Sequence, residues 1–239
     1  MPRLAIIPAR GGSKRIKNKN IRDFCGKPII SYIINTAIES QLFDKIHVST
    51  ESELIKNVVE QYSISFDFMR PEYLADDFTP LMPVLSYVLK KYESMNLYFD
   101  EIWLLMACAP LIESKDLISA SKLFANQEKK IQSILAVSEF AVPIEWAFLR
   151  TESGDLKPRY SGKFSVRSQD LPISYFDTGT FTIFPRKNIL EANYVGTDED
   201  YLGFILPKFK SIDIDSEEDW FIAESIYSHT RKIKSSDTH

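Results

Sequence analysis

The sequence predicts an α/β fold: a three-layer arrangement with a mostly parallel central sheet covered by helices on both faces. Two observations carry this reading. Short apolar runs alternate with amphipathic segments through the first 140 residues or so, the rhythm of strand–helix–strand units. One run, DEIWLLMAC, is apolar without alternation, as expected of a central strand covered on both sides. With 239 residues, 44% hydrophobic and 26% charged, the chain fits one large domain with a substantial core.

The elements follow in order. LAIIP (4–8) is a short buried strand. GKPIISYIINTAIES places apolar residues at 29, 30, 33, 34, 37 and 38, the spacing of a helix laid on a sheet. KIHVST (45–50) is a second strand, ELIKNVVEQY a second helix, and ISFDFM (64–69) a third strand. RPEYLADDFTP is a loop by its prolines and acids, followed by a helix through PVLSYVLKKY. SKDLISASKLFAN is the helix after DEIWLLMAC, and QSILAVSEF the strand after that.

Beyond about residue 140 the rhythm breaks. VPIEWAFLRTESGDLKPRY reads as a β-hairpin turning at Ser153–Gly154–Asp155, and FDTGTFTIF as a further strand. FKSIDID is read as a strand leading into the last helix, whose start carries a capping pattern in Ser216 and Asp219. The polar tail, 230–239, is expected to fray.

Bulk composition narrows the function classes. Two cysteines, Cys25 and Cys108, make no disulfide framework and point to a reducing cytoplasmic compartment. His47, His229 and His239 show no metal-ligand spacing, which argues against zinc. The N-terminus lacks the pattern of a secretory signal, and IWLLMACAPLI is about half a membrane span and contains a proline. A balance of 29 basic to 33 acidic residues, net −4, gives no broad basic face for nucleic acid.

Against that acidic background IIPARGGSKRIKNKN (6–20) stands out. Seven Lys or Arg lie between Arg10 and Lys27, against the single acid Asp23. The loop leaves the carboxyl end of the first strand, where open parallel sheets bind ligands. Gly11 and Gly12 let backbone N–H groups approach a phosphate, and Arg10, Ser13 and Lys14 add charge and donors. Neither GxGxxG nor GxxxxGK[ST] is present, so a dinucleotide oxidoreductase and a P-loop kinase both lose their main support. The alternatives are a solvated basic loop and a small nucleic-acid patch, the latter without interleaved aromatics.

Asp213 and Asp215 in IDID are two apart, so on a strand both carboxylates share one face. Such a pair suits Mg2+, which takes one or two protein carboxylates alongside phosphate; the alternative is a pair of acids serving the next helix dipole. A phosphate loop with a carboxylate pair makes nucleoside-triphosphate chemistry the coherent reading.

These stretches, with RPEYLADD, RSQDLP and DIDSEEDW, make the chain resemble the acylneuraminate cytidylyltransferases, which activate nonulosonic acids as CMP-sugars, over nearly its whole length. The resemblance implies a Rossmann-like nucleotidyltransferase fold, CTP and a nonulosonic acid as substrates, Mg2+ as cofactor, and no nucleic-acid or membrane partner. It implies that Arg10, Gly11, Gly12, Ser13, Lys14 and Lys19 hold the triphosphate, Asn20 and Arg70 read the cytosine, and Asp213 and Asp215 hold the metal, with Arg10, Lys14 and the two aspartates as the catalytic set. Arg167 is expected near the sugar carboxylate; Gln169 and Tyr175 belong to the same pocket or to a dimer interface. An insertion at roughly 140–175 within the single domain is expected to pair two protomers.

The central strand ends in MACAP (106–110), where the sialic-acid branch has a QPTSP-like motif. With RSQDLP and the strand motif Asp177–Thr178–Gly179, this is more similar to the pseudaminic acid branch, and it makes Met106 a candidate wall of the sugar site. Sialic, legionaminic or 3-deoxy-manno-octulosonic acid as substrate, and a nucleotide-binding regulator without catalysis, are the competing readings.

Overall fold

The computed structural model describes residues 1–128, 132–192 and 199–236. In chain order they form β1 (Arg3–Pro8), the two-residue strands β2 (Asp23–Phe24) and β3 (Lys27–Pro28), α1 (Ile30–Ser40), β4 (Lys45–Ser49), α2 (Glu53–Val59), α3 (Leu81–Ser94), β5 (Glu101–Leu105), α4 (Ser114–Ala125) and β6 (Ser133–Glu139). After these come β7 (Phe148–Arg150), β8 (Leu156–Pro158), β9 (Tyr175–Pro185), α5 (Arg186–Leu190), β10 (Tyr201–Ile205) and α6 (Glu217–Ser236).

Six strands form the main sheet in the order β10-β6-β9-β5-β1-β4. β1 runs parallel to both β4 and β5, and β10 runs parallel to β6. β9 alone is reversed, antiparallel to β5 and β6. The excursion after β6 supplies the reversal by returning the chain at the end where β6 finished, with Tyr175 opposite Glu139. The three layers are visible in the side chains. Ala5 and Ile7 of β1 and Trp103 and Leu105 of β5 pack with Ile30, Ile33 and Ile34 of α1, while Leu4, Ile6, Ile102 and Leu104 pack with Leu85, Val88 and Leu89 of α3. Alternate residues thus enter two different cores, and both must be apolar; that is why these strands lack alternation.

A third cluster, Ile16, Phe24, Ile29, Ile214 and Trp220, fastens the opening loop and the segment before α6 to each other. The expected cap at α6 is present: Ser216 N–H donates to Asp219 Oδ2 (2.8 Å) and Asp219 N–H to Ser216 Oγ (3.2 Å). A second capping box, Glu113 with Asp116, starts α4. α6 continues to Ser236, past the boundary at 230 expected for a frayed tail; 237–239 lie outside the described residues. No described helix is long and apolar enough to cross a membrane.

Two strand expectations are corrected. Residues 64–69 are not a strand. The sheet ends at β4, and side chains rather than a backbone ladder hold the segment: Asp67 pairs with Lys45 Nζ (2.5 Å) and accepts from Tyr92 Oη (2.5 Å), and Phe68 packs on the His47 and Tyr92 rings. Residues 211–215 are likewise outside the sheet. The in–out alternation of IDID nevertheless survives, with Ile214 fully buried and Asp213 and Asp215 more accessible, because the apolar cluster under α6 takes the isoleucine. The hairpin turning at 153–155 is present as β7 and β8.

A candidate nucleotide site at the carboxyl ends of the strands

Beyond β1, Ala9 N–H donates to the Ser49 carbonyl oxygen (2.9 Å), and the basic loop follows directly. Arg10, Ser13, Lys14, Lys19, Asn20, Arg70 and Met106 all line one cavity of about 320 Å³. Seven of the predicted residues are thus brought together by the fold. Gly11 does not line it but packs against the turn after β4: its N–H donates to Glu51 Oε1 (2.6 Å), and a Cβ at this position would lie 3.0 Å from Ser52 Cβ. At Gly12 a Cβ would meet nothing within 4 Å, so the protein's own packing does not require that glycine.

Arg70 is 5% exposed, and its Nε and Nη2 donate to Ser49 Oγ (3.0 Å) and the Ser49 carbonyl (2.6 Å). Burial pulls its guanidinium down to about 10, with the Glu51 charge opposing. Asn20 is 8% exposed; its Nδ2 donates to the Arg10 carbonyl (2.9 Å) and its Oδ1 accepts from Cys108 Sγ (3.4 Å). Burial pushes the Cys108 thiol up to about 12, so it stays protonated.

The loop cations already have internal partners. Arg10 Nη1 donates to Asp77 Oδ1 (2.7 Å) and the Asp76 carbonyl (2.9 Å), and Lys14 pairs with Asp77 as well. Lys19 Nζ bridges to the Ile214 carbonyl (2.5 Å) and Asp215 (3.2 Å), and Arg15 also reaches Asp215 (2.8 Å). In the sequence reading Asp76, Asp77, Arg15 and Glu51 have no role, and Cys108 enters it only as a free cysteine and within MACAP. The acids of RPEYLADD enter that reading as loop formers and as part of a family motif, without a role of their own.

Asp213 has no hydrogen-bond or ion-pair partner among the described residues, and it faces Gly179, where a Cβ would lie 3.3 Å from its carboxyl carbon. Gly179, at φ 60°, sits where β9 departs from its register with β6, so the strand irregularity and the missing side chain together make room for the acid. Although the Asp213 residue is exposed at the surface, partial desolvation by its neighbours and then the Asp215 charge push its carboxyl up, Lys19 and Arg15 oppose, and Asp177 adds to the rise. Neither Asp213 nor Asp215 lines the cavity itself; the pair is tied to it through Lys19, which lines the cavity and reaches Asp215 (3.2 Å). An unpaired carboxylate beside a second one is a donor set that fits a hard cation of the Mg2+ type. The described residues hold no cluster of three or more His, Cys, Asp or Glu that would form a dedicated metal cage.

Arg167, Gln169 and Tyr175 are not in this cavity. Arg167 is exposed and pairs with Asp170 (2.8 Å), and Gln169 and Tyr175 are also exposed. Residues 140–175 carry an unusual share of open apolar surface, including Leu149, Leu156, Phe164 and Ile173.

Comparison with known proteins shows the family and the fold. A family model described as cytidylyltransferase matches residues 4–146, more than half the chain. A pseudaminic acid cytidylyltransferase of Campylobacter jejuni is 36% identical over 227 residues, covering 95% of this chain and 97% of that protein. A CMP-N,N'-diacetyllegionaminic acid synthase of Legionella pneumophila is 31% identical, covering 93% and 95%. A solved CMP:2-keto-3-deoxy-manno-octonic acid synthetase, complexed with CTP, shares the fold at TM-score 0.70 and 14% identity, covering 96% of this chain and all of that one. The chain belongs to the cytidylyltransferase family, and pseudaminic acid cytidylyltransferases are among the relatives it resembles most.

Proposed function

We propose that this protein transfers CMP from CTP to the anomeric hydroxyl of a nonulosonic acid, pseudaminic acid in our reading, and releases pyrophosphate. The full-length similarity to a pseudaminic acid cytidylyltransferase carries the reading, and the cationic cleft at the strand ends supports it. Arg10, Ser13 and Lys14 hold the triphosphate and take up charge developing on the leaving pyrophosphate. Lys19 ties the loop to the 213–215 segment, so phosphates and carboxylates share one frame. Arg70 and Asn20, both anchored by backbone carbonyls, present their free groups to the cytosine.

Asp213 and Asp215 are the residues that would hold Mg2+, and bound there the ion supplies charge neutralisation at phosphate and a lower pKa for the attacking hydroxyl. Among the described residues no histidine lines the cleft as a rival base: His47 is buried, held neutral by burial at about 3, and His229 is exposed on α6. Arg167, Gln169 and Tyr175 serve the sugar site in a homodimer joined through 140–175, whose exposed apolar side chains supply the interface. A cytoplasmic location fits the two free cysteines. The test is pyrophosphate release with CTP and a panel of nonulosonic acids. Pseudaminic acid should be the most efficient substrate, and equal use of N-acetylneuraminic acid overturns the choice of sugar.

A further inference from the structure

The side-chain amide of an asparagine offers two N–H donors and two acceptor positions. At Asn20 one of each is already committed inside the protein. Nδ2 donates to the Arg10 carbonyl (2.9 Å), and Oδ1 accepts from the Cys108 thiol (3.4 Å). One donor and one acceptor remain, on a residue that lines the nucleotide cleft next to Arg70.

The sense of that remaining pair matters. The pairing edge of cytosine sets an amino donor beside a ring-nitrogen acceptor, and uracil sets a carbonyl acceptor beside a ring N–H donor. An amide that pairs with one must rotate by half a turn to pair with the other. A free asparagine makes that rotation easily, and only surrounding donors and acceptors decide its sense. Here the rotation would turn Oδ1 toward the Arg10 carbonyl, setting two acceptors against each other, and would exchange the thiol's donated hydrogen bond for an N–H contact to sulfur, a weak acceptor.

We infer that Cys108 is a positioning residue for base selection: its thiol and the Arg10 carbonyl together lock the Asn20 amide in the sense that accepts cytosine and rejects uracil. The inference rests on the reading of the cleft as a CTP site with Asn20 at the base. Its origin in the sequence is the MACAP ending of the central strand, where Met106 lines the cleft and Cys108 lies three residues past the end of β5.

Two pairs of variants separate the donor from the packing. Cys108→Ala and Cys108→Ser differ in a hydroxyl, and Cys108→Val and Cys108→Thr are close in shape but differ in the same way. The measurement is kcat/KM for CTP and for UTP by pyrophosphate release. Ser and Thr should keep the parent's CTP/UTP ratio within about twofold, and Ala and Val should lower it about tenfold, the scale of one enforced hydrogen-bond pattern. A loss of activity with an unchanged ratio in both Ala and Val shows packing alone and overturns the lock. If either of these two does not fold, the other pair decides. A parent enzyme that uses UTP as well as CTP overturns the underlying reading of the site, and the lock with it.

Discussion

The Asp77 carboxylate lies 2.7 Å from the Arg10 guanidinium and also pairs with Lys14, so an acid of the protein occupies two of the cations that line the candidate cleft. These contacts hold Asp77 below the usual carboxylate range, Lys14 first and Arg10 second. The loop carrying it spans RPEYLADD, whose first residue is the buried Arg70.

In the proposed site the nucleotide phosphates displace Asp77. Asp77→Asn should lower KM for CTP about two- to fivefold, the modest gain expected when a solvent-exposed ion pair no longer competes. The change should shrink at high salt. A raised KM would instead make Asp77 a partner of the bound substrate.

Asp213 gives a prediction in which stability and activity move in opposite directions. Its pKa is raised, so the native state holds the proton more tightly than the unfolded chain. Stability then falls as pH rises from the ordinary carboxylate value through the raised one, and the deficit persists at neutral pH. Asp213→Asn should raise the thermal midpoint at pH 7, with the gain fading in acid, while turnover falls on the order of a hundredfold or more. Added Mg2+ should stabilise the parent and leave the variant unchanged. Parent-like turnover at limiting Mg2+ would remove Asp213 from the metal site.

The two glycines of the loop should behave differently. A Cβ at Gly11 would press on Ser52 and Glu51 and disturb the Gly11–Glu51 hydrogen bond, whereas Gly12 has open space around it. Gly11→Ala should cost on the order of 1–3 kcal/mol in unfolding experiments and weaken CTP binding. Gly12→Ala should leave the thermal midpoint near that of the parent, so any loss it shows belongs to the ligand. Equal destabilisation by both would contradict the packing described for Gly11.

The exposed apolar side chains of 140–175 predict a homodimer, measurable by sedimentation equilibrium. Leu149→Glu together with Ile173→Glu should shift the protein toward monomer and reduce activity with the sugar more than CTP binding. An unchanged sedimentation profile would place the interface elsewhere.

Most of the architecture is legible in local pattern. The period of α1, the unbroken apolar run of β5 and the cap at Ser216 and Asp219 are short-range properties, and each predicts its element without knowledge of the rest. The basic loop is legible for the same reason, because its charge and glycines lie within a few residues of one another. Other outcomes depended on partners distant in sequence. Whether 64–69 becomes a strand depends on there being an open edge to join, and the side chains of Lys45, His47 and Tyr92 claim the segment first. The reversed direction of β9 follows from the path of the preceding excursion, which no periodicity encodes. The partners of Asn20, Gly11 and Arg10 come from Cys108, Glu51 and Asp77, 88, 40 and 67 positions away. Residue type can announce that a loop binds a polyanion. Which carboxylate rests on it, and which thiol orients its asparagine, is decided only when strands far apart in the chain are laid side by side.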